Sequence, residues 1–503
     1  MPGRQTIFLT GATGFLGQYL LCDLISSGRS VAVLVRDSRQ NGGSERIGEL
    51  LASWSERLGR KLPHPTIIAG DLGQAGLGLT EADRHWIGHE CRAILHSAAS
   101  VSFRESPGGE PWQTNVRGLQ TLVDVCLGIG LTEWHHVSTA FVCGRRTGHI
   151  GEEELDAGQS FHNCYEESKF QGERLLRSAK GLQATFYRPS VIVGDSKTGH
   201  TTSYTGLYRF LEMAARLSAL HASESNAHVP LRLPLSGTET WNLVTVDWVS
   251  RAIVELMLRP ECHGRTYHLV SPAPVPTSFL KEVGAAELNM QGVEFAGSGS
   301  LAKPSRLEEL FFAGIEEYWP YLNGNPVFST KNTTASLAHL PLPVFDRALV
   351  ERLIRYASAQ RWGRSSRPAK VTPEPVIASG CAKYIEEVFP KQAQRSQLAR
   401  EAGLNLTVSI ELRGPGGGAW SCQWIKGELA GVRHGLCNQA EVVYHSDAAT
   451  FEKLIQGSST AQDAFLEEKI TITGNLETGL ELAVLLGQFL AETQQSGSHL
   501  SDN

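Results

Sequence analysis

What this sequence lacks narrows its class before any motif is read. Its nine cysteines (positions 22, 91, 126, 143, 164, 262, 381, 422 and 437) are odd in number, widely scattered, and form no C-x-x-C pair. A disulfide framework or a structural zinc site needs tighter grouping, so neither is expected, and the thiols read as reduced ones in a cytoplasmic protein. There is no Lys/Arg run, and the net charge is −6. The basic face that neutralises nucleic-acid phosphates is therefore missing. The longest apolar stretches, 119–131 and 480–491, are too short to span a bilayer and are broken by polar residues, so no transmembrane anchor is expected. Met1–Gln5 run straight into the strand-like Thr6–Thr10, leaving no room for a signal peptide. What remains is a globular composition, 41% apolar and 19% charged over 503 residues, long enough for roughly three domains.

Short apolar runs alternate with helical-period segments over the first 200 residues. Strand candidates are 6–10, 31–35, 66–69, 93–96, 133–138 and 184–187, with amphipathic stretches such as 18–27 and 115–128 between them. This rhythm predicts βαβ units and a doubly wound, Rossmann-type α/β parallel sheet with helices on both faces. From about 194 to 362 the rhythm fades, although 241–247 and 266–270 still look like sheet pieces. A single unit over 1–362 is expected to hold its substrate-binding part at about 195–245 and 275–362. The segment 363–375, with its prolines, reads as a linker. Beyond it, Leu406, Val408, Ile410 and Leu412 alternate, Gly414–Gly418 turn the chain, and Trp420, Cys422 and Trp424 alternate on the return. That pattern predicts an antiparallel hairpin in a small α+β domain over 376–495, followed by a frayed tail at 496–503.

Two clusters carry chemistry. The first is Gly11, Thr13, Gly14, Phe15, Leu16 and Gly17, between the first strand and the first helix. Glycines there permit a tight turn and let backbone N–H groups approach a pyrophosphate at the positive end of the helix. After the second strand come Arg36, Asp37 and Arg39. A carboxylate accepts from a ribose 2′-OH and an arginine pairs with a 2′-phosphate. Arg36 comes first and Arg39 follows, which favours NADPH, with NADH the alternative; solvated charges after a strand are the plain reading of the same residues.

The second cluster is Tyr165 and Lys169, four apart on one helical face. A phenol of pKa about 10 serves neutral-pH proton transfer only when its anion is stabilised, here by the Lys169 ammonium and a positive nicotinamide. Lys169 could also hold the nicotinamide ribose. Upstream, Val137-Ser138-Thr139-Ala140 ends a strand in small hydroxyl residues, and Thr139 could donate to a substrate oxygen as charge builds on it. His96, closing a strand, reads as a packed histidine. Glu166 and Glu167 read as the solvated face of their helix. Cys164, with no obvious base, reads as packing.

Taken together these segments resemble the extended short-chain dehydrogenase/reductases, in particular their thioester-reductase branch, which includes fatty acyl-CoA reductases. The similarity runs over about 5–360 and rests on Thr10–Gly17, Gly70-Asp71-Leu72, His96–Phe103, Asn115-Val116, Val137–Ala140, Tyr165–Lys169 and Arg188–Asp195. The resemblance implies that Asp71 meets the adenine of the cofactor, that Leu72 beside it is cofactor-binding, and that Ala98 and Ala99 line the diphosphate and ribose. It also makes Asn115 a structural or proton-relay residue and Thr139, Tyr165 and Lys169 catalytic. Residues 376–495 resemble a sterol carrier protein type 2 domain, a small fold that holds lipid in an apolar tunnel. Phe451, Leu454, Phe465, Leu482, Leu485, Leu486 and Phe489 are then either tunnel lining or ordinary core.

The expected function is NADPH-dependent reduction of a lipid-like acyl thioester, on CoA or a carrier protein, to the aldehyde or alcohol. Alternatives are an oxidoreductase of a sterol or other polycyclic lipid, and a lipid-transfer or lipid-sensing protein whose reductase half only binds nucleotide. No metal site is expected, and the sequence leaves the oligomeric state open.

Overall fold

Seven short strands make one fully parallel sheet: β1 (Thr6–Thr10), β2 (Val31–Val35), β3 (Thr66–Ala69), β4 (Cys91–His96), β5 (Glu133–Val137), β6 (Gln183–Pro189) and β7 (Thr266–Leu269). Their order is β7–β6–β5–β4–β1–β2–β3. Every residue of β1 and β2 is buried, which is why both read as unbroken apolar runs. The structure is a computed structural model that describes residues 5–36, 42–220, 227–322, 326–363, 380–395, 404–466 and 469–474, with 478, 479, 482 and 483. Asp37, Arg39, Leu485, Leu486, Phe489, the tail and all of the expected linker but Gly363 lie outside the described residues.

The crossover helices are α1 (Phe15–Ser26), α2 (Gly43–Leu58), α3 (Glu81–Glu90), α4 (Leu119–Gly128) and α5 (Cys164–Ser178). On one face of the sheet Leu20, Leu24, Ile47 and Leu51 share a core with Val249 and Ile253. On the other, Ile87, Leu119, Leu122 and Leu176 form a second. The strand order reverses between β1 and β4, the place where an open α/β sheet leaves a crevice at the carboxyl ends of its strands.

A helical subdomain covers that end, built on α6 (Leu207–Leu220), α8 (Thr277–Glu287) and α9 (Arg306–Ile315); α7 (Val246–Met257) belongs to the sheet. The expected sheet piece 241–247 is divided. Thr240–Trp241 pairs with Val275–Pro276 and Leu243–Thr245 with Val191–Val193, but α7 starts at Val246. Asp247 suits that first turn, where a carboxylate meets the positive helix end, and it also accepts from the Ser196 N–H at 2.9 Å.

The C-terminal strands form a separate sheet: β8 (Leu406–Arg413), β9 (Gly418–Ile425), β10 (Glu428–His434), β11 (Val442–Asp447) and β12 (Ile470–Gly474), in the order β10–β9–β8–β11–β12. The expected hairpin is β8–β9, with Val408 opposite Cys422 and Ile410 opposite Trp420. Phe451, Leu454 and Leu482 are buried in its core, and Phe465 is half-buried against it. Leu310 of α9 packs on the same core, so helical subdomain and C-terminal sheet touch.

Candidate active site

The turn after β1 is shaped by close backbone approach. Gly11 has φ +76°, and a Cβ there would lie 2.5 Å from the Ala98 nitrogen. A Cβ on Gly17 would lie 1.9 Å from the Gly11 carbonyl oxygen. Only glycine fits both positions. α1 then begins at Phe15 with no side-chain cap and no acidic residue in its first turn, so its leading N–H groups face outward at the positive helix end. This loop fits a dinucleotide diphosphate: bare amides, no competing carboxylate, and a backbone any side chain would obstruct.

Across the crevice, Tyr165 and Lys169 project from the first turns of α5, whose N-cap Asn163 accepts from the Glu166 N–H. Thr139 follows β5 and caps the short turn Ala140–Cys143. The Thr139 hydroxyl donates to the Pro189 carbonyl at 3.5 Å and accepts from the Phe141 N–H at 3.3 Å. Burial pushes the Tyr165 phenol up to about 12, the nearby Thr139 hydroxyl pulls it down, and the charge of Glu166 adds to the rise. Burial brings the Lys169 ammonium down to about 8 against the pull of the Glu173 carboxylate. At neutral pH the pair is thus a protonated phenol and a charged ammonium. The expectation that Lys169 directly props the phenolate needs adjusting: its Nζ donates to the Val137 carbonyl at 2.7 Å, because a buried ammonium takes the nearest backbone acceptor.

One cleft of about 300 Å³ joins these parts. It is lined by Gly14, Phe15, Leu16, Gly17 and Ala99 on the loop side and by Thr139, Tyr165 and Lys169 on the other. Thr13 is exposed beside the loop, and Gly11 and Ala98 form its floor. Arg36, Asp71 and Leu72 lie outside this cleft. Arg36 is exposed just beyond β2, with Arg46 donating to its carbonyl. The Asp71 carboxylate accepts from the Gly73 N–H at 2.9 Å, and Leu72 packs near Gly118.

Asn115 is structural. Its amide clasps both backbone groups of Ser100 at 2.8 Å and donates to the Ser168 hydroxyl at 2.9 Å, tying the loop after β4 to α5. It sits in a π-helical turn, Gln113–Gly118, a distortion frequent at functional sites. His96 is packed as expected; burial and then Lys169 hold its pKa near 3. Its Nδ1 meets the Thr10 hydroxyl at 2.7 Å. Cys164 is half-buried, its backbone N–H bonded to the Phe103 carbonyl at 3.0 Å.

The reading of Glu166 as a solvated face is wrong. Its side chain is fully buried, accepting from the His162 N–H at 2.9 Å and the Tyr321 hydroxyl at 2.7 Å. Nothing local marks this, because the partner comes from 155 residues away. Sequence reading also missed the aromatic wall. Phe103 lies 6.2 Å from the Tyr165 ring and 5.1 Å from Tyr318, and Phe141 lies 4.9 Å from Tyr321. The dense Tyr318-Trp319-Pro320-Tyr321 run was the signal available.

Among the described residues, one group of side chains could ligate a metal: Glu133, His135 and His263, at the far end of β5 from Thr139. Protein partners already engage it, with Arg92 on Glu133 at 3.2 Å and the Tyr187 hydroxyl on His135 at 2.8 Å.

Fold and cleft define a protein of the Rossmann class with a nicotinamide-dinucleotide site facing a Thr/Tyr/Lys set. Residues 9–253 match the NAD-binding family described as Male sterility protein, and residues 385–487 match the SCP-2 sterol transfer family. The nonribosomal peptide synthetase asaC of Aspergillus flavus is 30% identical over 314 residues, 58% of this chain and 29% of that protein. The L-2-aminoadipate reductase of Schizosaccharomyces pombe is 28% identical over 289 residues, 53% of this chain and 19% of that protein. The chain therefore spans less than a third of either relative's length. Among solved structures, the terminal R domain from the myxalamid PKS-NRPS biosynthetic pathway is 29% identical with a TM-score of 0.58, covering 72% of this chain and 92% of that one. Residues 9–253 thus carry an NAD-binding domain of the extended short-chain dehydrogenase/reductase, thioester-reductase type, and residues 385–487 a sterol carrier protein type 2 domain.

Proposed function

We propose that this protein reduces an acyl thioester, on CoA or a carrier protein, to the aldehyde with NADPH, a second turnover giving the alcohol. The observation that carries this is the single cleft in which Thr139, Tyr165 and Lys169 face the bare glycine loop. The likeness to a terminal R domain and to an aminoadipate reductase supports the thioester over other carbonyls.

When bound, the cofactor supplies a hydride to the thioester carbonyl carbon. The loop amides before and within α1 would hold its diphosphate, and Arg36, exposed just beyond β2, would pair with a 2′-phosphate. Thr139 and Tyr165 donate to the carbonyl oxygen as negative charge gathers there. Tyr165 gives up its proton as the oxygen becomes a hydroxyl. Breakdown of that hemithioacetal expels a thiolate, which takes its proton from water, and the phenolate recovers the hydroxyl proton as the aldehyde carbonyl forms. Lys169, charged below about pH 8, stabilises the transient phenolate through the field of the buried site. Phe103, Phe141, Tyr318 and Tyr321 exclude water from the reacting carbon.

The C-terminal domain serves as a lipid-binding module that raises the local concentration of a poorly soluble acyl chain. Purified protein with NADPH and a panel of acyl thioesters tests the reading. NADPH consumption with release of free thiol is expected. Normal cofactor binding with no oxidation on any thioester would exclude it.

A further inference from the structure

The catalytic cleft does not end at its aromatic wall. A second, apolar cavity of about 110 Å³ lies inside the helical subdomain, between α6, α8 and α9. The two spaces adjoin. Trp241 lines both. At three places consecutive residues face opposite sides: Gly206 the cleft and Leu207 the cavity, Tyr318 and then Trp319, Tyr321 and then Leu322. Trp241 is 2% exposed and stands edge-on to Phe210 at 5.0 Å. Its indole N–H finds no acceptor among the described residues, so packing alone holds the ring in place.

The inner cavity is built for hydrocarbon. Among the described residues, and besides the two indoles, Thr277 and Lys281 are the only lining side chains with nitrogen or oxygen atoms, and the Lys281 ammonium is turned over the Phe295 ring at 5.4 Å. Such a space offers water too few partners, and it favours an apolar guest. Phe311 of α9 forms part of its wall, while the neighbouring Leu310 packs on the core of the C-terminal domain.

We propose that the tail of the substrate's acyl chain occupies this inner cavity, with Trp241 controlling entry to it. The inference rests on the reductase reading above and deepens it. A chain whose carbonyl sits at Thr139 and Tyr165 passes Trp241 and ends among Phe210, Ala214 and Phe311. The substrate is thus a linear, unsubstituted acyl group, not a polycycle, which could not pass an entry of this kind.

The test is a chain-length series of acyl-CoA thioesters, from butanoyl to hexadecanoyl, on the full chain with NADPH. In the wild type kcat/KM rises by about fourfold per methylene while the chain fills the cavity, then levels. Ala214→Phe fills the cavity and lowers the long-to-short ratio of kcat/KM by about tenfold, the worth of fewer than two methylenes. Trp241→Ala opens the entry and moves the preferred length up by several carbons. Ratios and length optimum unchanged in both variants overturn the inference. A binding measurement separates this failure from failure of the proposed function. Calorimetry compares decan-1-ol with butan-1-ol on both proteins in the presence of oxidised cofactor. If no thioester is reduced but Ala214→Phe weakens decanol selectively, the cavity assignment stands and the reductase reading falls. If decanol binds both proteins alike, the cavity assignment falls.

Discussion

The Tyr321 hydroxyl donates to the buried Glu166 carboxylate at 2.7 Å while accepting from the Asn163 amide at 2.8 Å. One phenol from the helical subdomain thus fastens the N-terminus of α5, the turn that presents Tyr165. Tyr321→Phe leaves a buried carboxylate short of one hydrogen bond, which costs about 1–3 kcal/mol. A fall of that size in unfolding free energy, read from denaturant midpoints, is expected, together with a raised KM as the Tyr318–Leu322 wall loosens.

Tyr165→Phe removes the proton donor and leaves the ring. NADPH oxidation is expected to fall roughly 10²–10⁴-fold, the usual range for a positioned acid–base group, with cofactor affinity little changed. Stopped-flow oxidation and cofactor fluorescence measure the two separately. A variant as fast as the wild type would remove the phenol from the mechanism.

Lys169 makes stability depend on pH in a defined direction. Burial lowers its pKa from 10.5 to about 8 in the fold. Below pH 8 both folded and unfolded chains hold the proton, and the fold bears the full cost of a buried ammonium. Between about 8 and 10.5 the unfolded chain holds a proton the folded one has shed, so this group's contribution improves as pH rises. Against Lys169→Met, which has no such charge, wild-type stability is expected to gain across that window. Thermal midpoints of the two proteins, tracked in parallel from pH 7 to 10.5, give the difference.

Arg188 and Glu173 form a two-pronged ion pair at 2.8 and 2.7 Å, each side chain 1% exposed or less. Burial alone would raise the Glu173 pKa, but Arg188 brings it below the ordinary value. Arg188→Met strands that carboxylate and frees the carbonyls of Glu152 and Glu154, which Arg188 also holds. A loss of about 3–5 kcal/mol is expected from chemical denaturation. The double variant Arg188→Met/Glu173→Met should recover part of it.

Gly17→Ala drives a methyl into the Gly11 carbonyl, a contact that has to displace the loop. Cofactor affinity should fall at least about tenfold, since the amides lose their alignment on the diphosphate. Differential calorimetry is expected to show the cofactor-dependent shift vanish from the reductase transition.

Much of this was legible in the chain because local chemistry decided it. β1 and β2 are buried on both faces, so their apolar runs had no alternation to confuse. Gly11 and Gly17 announce a turn only glycine can make. Tyr165 and Lys169 stand a helical turn apart wherever that helix lies. Thr10, by contrast, gives no hint that its hydroxyl will meet His96, and the 241–247 run could not show that it would split at Asn242, whose amide clasps Ser271 at 2.8 Å.

By itself the sequence determined the strand–helix rhythm, the glycine turn after β1, the one-turn spacing of Tyr165 and Lys169 and the presence of a second, hairpin-based domain, since each depends on neighbours within a few residues or on one period. Tertiary structure alone decided that Glu166 is buried beneath Tyr321, that Lys169 spends its proton on Val137, and that Trp241 lines two cavities. Those relationships join residues far apart in the chain, and burial is a property of the assembled surroundings, which no single segment carries.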